Sequence, residues 1–307
     1  MKDAKRDYYL NKGDFKVAIK KALDANLERE IGEFCDKAGL TQHVYQDWSY
    51  KSLDELGGMS DVIKQLREYV VDSWDPEIRK SLLANKRMPS GGFMLEGPPG
   101  GGKTTVIETL AREMDVPLYK MHYNQEGNEF VHRVAKVIHE VFDRLALEAK
   151  VRKKPVMLFF DEAEKFFPVA THGHHIEEVN TYKELMNLAA SRNIILAGAT
   201  NHIDQVNQEI VGNPRRMGTV IHCGEPNFED RKNILSKLLV GLPIVDGEIT
   251  EETFENIAAL TAGFSIGQIS DAIDKIIVQA VKRKVNLTPE ILLNEFKSNM
   301  KSSFLIK

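Results

Sequence analysis

Cysteine is scarce in this chain. Cys35 and Cys223 are its only two, far apart and without C-x-x-C spacing, which argues against a disulfide framework or a thiolate zinc site. Long apolar runs are missing as well. Nothing approaches the ~18 consecutive apolar residues of a membrane-spanning helix, and Met1 to Tyr9 is charged where a secretory leader would be apolar. The sequence therefore reads as cytoplasmic, with no membrane partner. Charge of one sign is also lacking. With 41 basic and 45 acidic residues the net charge is −4, so no overall field draws in nucleic acid. No internal repeat or low-complexity tract occurs. What remains, 307 residues at 42% hydrophobic and 28% charged, is the balance of one large or two ordinary globular domains.

The most informative stretch present is Gly97, Pro98, Pro99, Gly100, Gly101, Gly102, Lys103, Thr104, which fits every fixed position of the phosphate-binding loop G-x-x-x-x-G-K-[ST]. Glycines let backbone N–H groups converge on phosphate oxygens, and the helix that follows offers its positive end to the same anion. Lys103 would then reach the β- and γ-phosphates of a nucleotide, the Thr104 hydroxyl would ligate Mg²⁺, and Thr105, which opens a helical run to Glu113, counts with them among the nucleotide-binding residues. An apolar lead-in, Phe93 to Leu95, supplies the strand.

A second apolar run, Val156 to Phe160, ends in Asp161 and Glu162. Paired carboxylates at the carboxyl edge of a parallel strand point to metal and water chemistry: Asp161 holds Mg²⁺ through coordinated water, and Glu162 polarises the water attacking the γ-phosphate. A third run, Ile194 to Ala197, leads to Ala199, Thr200 and Asn201, where an amide positions that water or senses the γ-phosphate, or simply makes a turn.

Strands are expected at 93–95, 118–121, 156–160, 194–197 and 220–223, alternating with helix-period segments. That is the α/β pattern of a P-loop parallel sheet sandwiched between helices. From Phe228 onward the period is helical throughout, predicting a small all-α domain. Residues 1–50 carry apolar positions at helical spacing and read as a short helical N-terminal region. The divisions are therefore 1–50, 51–226 and 227–307.

These residues resemble the core AAA clade of the AAA+ ATPases from about Asp54 to Lys301. Leu56, Gly57 and Gly58 resemble the family's motif beside the adenine. Gly97 to Thr104 resemble Walker A, Asp161 and Glu162 resemble Walker B, and Asn201 falls at sensor 1. Gly263, Phe264 and Ser265 resemble the lid motif over the nucleotide, continued by Gly267, Gln268 and Ile269 after an inserted Ile266. The resemblance implies an ATP hydrolase with ATP and Mg²⁺ as cofactors. It also implies arginine fingers that reach a neighbour's γ-phosphate, placed here on Arg216 or, second, Arg215. Fingers in trans imply a homo-oligomeric ring, usually a hexamer, acting on a protein substrate or adaptor. The family's pore loop falls at Phe130 and Val131, a bulky pair able to grip a polypeptide by contact area, though Phe130 also suits the first buried turn of a helix. His172, His174 and His175 read as loop rather than metal ligands. Tyr8, Tyr9, Tyr45 and Trp48 suit a docking surface or packing on the ATPase body.

Two rival functions share the P-loop. A nucleic-acid loader or helicase-like ATPase would need a basic stripe, and the short cluster Lys150, Arg152, Lys153, Lys154 is equally a solvated loop. A nucleotide-gated assembly scaffold would not need Asp161, Glu162 and an arginine pair.

Overall fold

The computed structural model describes residues 39–46, 50–123, 131–169, 173–242 and 244–303, and only the backbone of 131–135, 173–175 and 299–303. Among the described residues six strands form one sheet: β1 (Leu40–Gln42), β2 (Gly92–Glu96), β3 (Leu118–Met121), β4 (Val156–Asp161), β5 (Ile194–Thr200) and β6 (Thr219–His222), in the order β1-β3-β4-β5-β2-β6. All neighbours pair in parallel except β1, which lies antiparallel on β3. Apolar side chains on both faces, with no polar alternation, make β4 and β5 interior strands: every residue from Val156 to Phe160 and from Ile194 to Thr200 is buried.

Helices cover both faces of the sheet. On one, α1 (Ser60–Leu66) continues through a π-helical turn, Arg67–Val71, to Asp72–Trp74, and this run packs with α3 (Lys103–Glu113) against Phe93, Leu95, Phe159 and Ile195; α2 (Pro76–Ala84) follows Trp74 with no buried residue. The opposite face is covered by α4 (Val131–Arg152), α5 (Ala163–Phe166) and α6 (Gly173–Ala189), and α7 (Gln208–Val211) precedes β6. Here Phe160 packs edge-on against Phe166, Phe167 and Tyr182, with ring centroids 5.3, 5.0 and 5.7 Å away.

The helical part contains α8 (Phe228–Leu239), α9 (Glu251–Leu260), α10 (Ile266–Arg283) and α11 (Pro289–Ser303). In α10, Ile269, Ile273, Ile276 and Ala280 recur at helical spacing and bury one stripe against Leu235, Phe254, Ile257 and Phe296. Arg231 ties this bundle together from inside, its Nε donating to the Ala258 carbonyl (2.9 Å) and its Nη1 to that of Pro226 (2.8 Å).

The parallel strands agree with those expected within a residue at their ends, except that β5 runs three residues further, to Thr200. Residues 1–38 and 47–49, most of the segment read as helical, lie outside the described residues. Within the rest of that segment the structure differs from the helical expectation: Leu40–Gln42 is an edge strand paired with Met121, Lys120 and Tyr119. Three residues are too short for a period of two to stand out from helical spacing.

Candidate active site

Strand register brings the motif residues together. In the sheet, Asp161 of β4 pairs with Ala199 of β5, and Thr200 pairs with Glu96 of β2. Glu162, Asn201 and Gly97, the residues that follow, therefore leave the same carboxyl edge side by side, where open α/β sheets bind ligands. Tyr50, Leu56, Gly57, Met59, residues 99–106, Asp161, Glu162 and Asn201 line a cleft of about 610 Å³ there, with Ile234, Lys237, Leu238, Ile266, Gly267 and Ser270 of the helical part as its opposite wall.

The phosphate loop turns out of β2 at Gly97, whose φ of 147° and close approach to the Cys223 carbonyl exclude a side chain: a Cβ would lie 2.1 Å from that oxygen. Lys103 opens α3 and is almost fully buried. Its ammonium donates to the carbonyls of Gly97 (2.7 Å) and Pro98 (2.8 Å) and to Oδ1 of Asn201 (2.8 Å), engaging all three of its donors. Burial lowers its pKa from the ordinary lysine value, opposed by Cys223, Asp161, Glu164 and Glu96.

Each acid of the β4 terminus carries a lysine. Asp161 Oδ2 accepts from Lys120 Nζ of β3 at 2.6 Å, and its Oδ1 accepts from the Glu162 N–H at 3.1 Å. Glu162 takes a left-handed conformation, φ 55° and ψ 55°, at the start of α5 and pairs with Lys165 one turn on. Beside them Glu164 accepts from the hydroxyl of Thr200, which also accepts from the N–H of His202 (2.9 Å). This places Asn201 next to Lys103.

The helical part closes on the phosphate loop through α10. Ser265 caps that helix, and its side chain and that of Gln268 form reciprocal bonds with each other's backbone. Ile266 is the first helical residue. Gln268 is the third residue of the helix. The Gly267 N–H donates to the Gly100 carbonyl at 2.9 Å. Gly57 meets α8 as closely: a Cβ there would lie 2.6 Å from the Ile234 Cα.

Arg215 and Arg216 stand elsewhere. The Gly91 N–H donates to the Pro214 carbonyl at 3.0 Å, so this loop abuts the amino end of β2, whereas the phosphate loop follows its carboxyl end. The five residues of β2 separate the two by about 16 Å at ~3.3 Å per residue. Arg216 is held within its own chain, donating from Nε to Asn187 Oδ1 (3.1 Å) and from Nη1 to the Glu209 carbonyl (2.7 Å), with its side chain 12% exposed. Arg215 is exposed, and its backbone N–H donates to Asn213 Oδ1 at 2.9 Å. Phe130 and His172 lie outside the described residues; Val131, His174 and His175 are described in backbone only, Val131 as the first residue of α4.

Sequence reading missed Lys120, Lys165 and the Ser265–Gln268 cap. The S-x-x-Q spacing before an apolar run was a legible cue for the cap. A lysine inside an otherwise apolar strand was the one cue for Lys120.

Residues 93–225 match the family described as ATPase family associated with various cellular activities (AAA). The chain carries an AAA-family ATPase domain. Among its curated relatives, a proteasome-activating nucleotidase of Sulfurisphaera tokodaii is 28% identical over 249 residues, 76% of this chain and 59% of that protein. A proteasome-associated ATPase of Streptomyces griseus is 28% identical over 252 residues, 76% of this chain and 42% of that protein. The ribosome biogenesis ATPase RIX7 of Saccharomyces cerevisiae is 30% identical over 268 residues, 81% of this chain and 30% of that protein. The chain thus spans three fifths or less of the length of these relatives. Among the described residues no helix is long and apolar enough to cross a membrane.

Proposed function

We propose that this chain is a Mg²⁺-dependent ATP hydrolase that assembles with copies of itself into a ring, a hexamer, and uses hydrolysis to unfold, disassemble or remodel a protein. The observation that carries the hydrolase reading is the convergence of Lys103, Thr104, Asp161, Glu162 and Asn201 on one cleft walled by the helical part. The donor set suits the cofactors. A threonine hydroxyl and a carboxylate are hard oxygen ligands of the kind Mg²⁺ takes beside nucleotide phosphates, and the glycine backbone leaves room for those phosphates. Mg²⁺, when bound, supplies charge that offsets the negative charge on the phosphates. Thr104 and Asp161 would hold it, Asp161 through water; Lys103 would bind the β- and γ-phosphates; Glu162 would orient and deprotonate the attacking water; Asn201 would position it.

The ring reading is supported by the arginine pair. Neither Arg215 nor Arg216 can serve its own phosphate loop across the length of β2, so a finger from this loop must serve another copy. Arg215 is the freer of the two, and Arg216 would first have to leave Asn187 and Glu209. A protein substrate fits the relatives named for proteasome activation and ribosome biogenesis, with Phe130 and Val131 assigned to grip the polypeptide. Replacing Glu162 with glutamine tests the hydrolase. The variant is expected to bind ATP like the parent while phosphate release falls by roughly 100-fold or more, the scale of a lost general base. Release near the parent rate would remove Glu162 from the mechanism.

A further inference from the structure

Lys120 is a charged residue in a sheet strand whose neighbours Leu118, Tyr119 and Met121 are all buried. Its position follows from the register. Lys120 pairs with Phe159 of β4, and residues i and i+2 of a strand share a face, so Asp161 stands on the same face as Phe159, one step nearer the cleft. The Lys120 stem crosses the Phe159 ring, its Nζ 5.5 Å from the ring centroid, and ends 2.6 Å from Asp161 Oδ2. Both side chains are partly shielded, 32% and 28% exposed. This is the carboxylate assigned above to hold the divalent ion, and it meets a cation fixed to the sheet.

We propose that Lys120 is a positioning residue that sets the divalent-metal affinity of the nucleotide site by competing for Asp161. The ammonium occupies Oδ2 and fixes the carboxylate in the orientation the Glu162 N–H also favours through Oδ1. A metal ion, or its bound water, must therefore share or displace an existing charge-assisted bond, and the ion and the ammonium repel each other at close range. Lys120 thereby weakens metal binding and couples it to movement of β3, the strand that carries β1 on its other edge. Lys165 on Glu162 is different: that pair is surface-exposed within one turn of helix and is expected to yield readily.

This inference rests on the nucleotide-site reading, and its test separates the two. Mn²⁺ binding to the full chain, with a non-hydrolysable ATP analogue present, is followed by the loss of the free-ion paramagnetic resonance signal. Binding of a fluorescent ATP analogue in excess EDTA is measured in parallel. Lys120→Met, which keeps the stem and removes the charge, is expected to tighten Mn²⁺ roughly three- to tenfold, the range of a partly shielded ion pair plus the lifted repulsion. Nucleotide affinity in EDTA is expected to hold. Lys120→Arg is expected to restore weak metal binding, and Lys120→Met in an Asp161→Asn background to have no effect. Should Lys120→Met fail to fold, Lys120→Gln is measured in its place. Unchanged or weaker Mn²⁺ binding, with nucleotide still bound, would overturn the role of Lys120 alone. Failure of the parent to bind nucleotide in either condition would overturn both readings.

Discussion

At the scale of single residues, the site depends on charge held out of water. Lys103 is nearly buried and engages three acceptors, so removing its charge leaves those acceptors short of a donor as well as removing the phosphate contact proposed for it. Lys103→Ala is expected to abolish measurable binding of a fluorescent ATP analogue at micromolar protein; retained binding would contradict its placement. Cys223 offers an independent check on packing. It is 1% exposed, and burial pushes its thiol up to about 11, so at pH 8 it is both inaccessible and protonated. In a Cys35→Ser background, a thiol reagent at pH 8 is expected to label Cys223 only after the protein unfolds. Labelling of the folded chain within seconds would show the strand end open. Lys103 was legible in the sequence from the glycine loop that precedes it, and Asp161, Glu162 and Asn201 because each follows an apolar run. Lys120 was not, since its partner is set by the pairing of two strands, which no local pattern displays.

At the scale of elements, the helical part meets the phosphate loop through the Gly267 N–H on the Gly100 carbonyl, and it meets the segment before α1 through the approach of Gly57 to Ile234. The first depends on α10 starting where it does, and the Ser265–Gln268 cap fixes that start. Ser265→Ala is expected to cost about 1 kcal/mol, read as a lower urea midpoint at unchanged slope. An unchanged midpoint would mean that Gln268 alone suffices. Gly57→Val forces α8 away from the cleft and is expected to weaken nucleotide binding at least tenfold while leaving the far-ultraviolet circular dichroism intact; parent-like affinity would detach this wall from the site. The parallel strands and the α8 to α10 stripe were readable from periodicity, because continuous apolar runs and i, i+4, i+7 spacing are local. The strand β1 was not: its three residues form an element only by pairing with β3.

At the scale of the whole molecule, the sheet sets apart the two parts of the site proposed above. The carboxyl ends of β2, β4 and β5 carry the phosphate loop, the acids and Asn201, while the loop with Arg215 and Arg216 packs at the amino end of β2. The sequence pointed to Arg216, whose guanidinium is bonded within its own chain; Arg215 is the exposed member, a distinction that only tertiary packing makes. Mixing complementary variants tests this division most directly. Arg215→Ala/Arg216→Ala keeps Glu162 but lacks the cations, and Glu162→Gln keeps the cations but lacks the base. Each alone is expected to release phosphate slowly, and mixtures are expected to exceed both, because an intact acid then meets an intact arginine across an interface. No gain at any mixing ratio, with assemblies of parent size still forming in ATP, would contradict a site completed by the neighbouring copy.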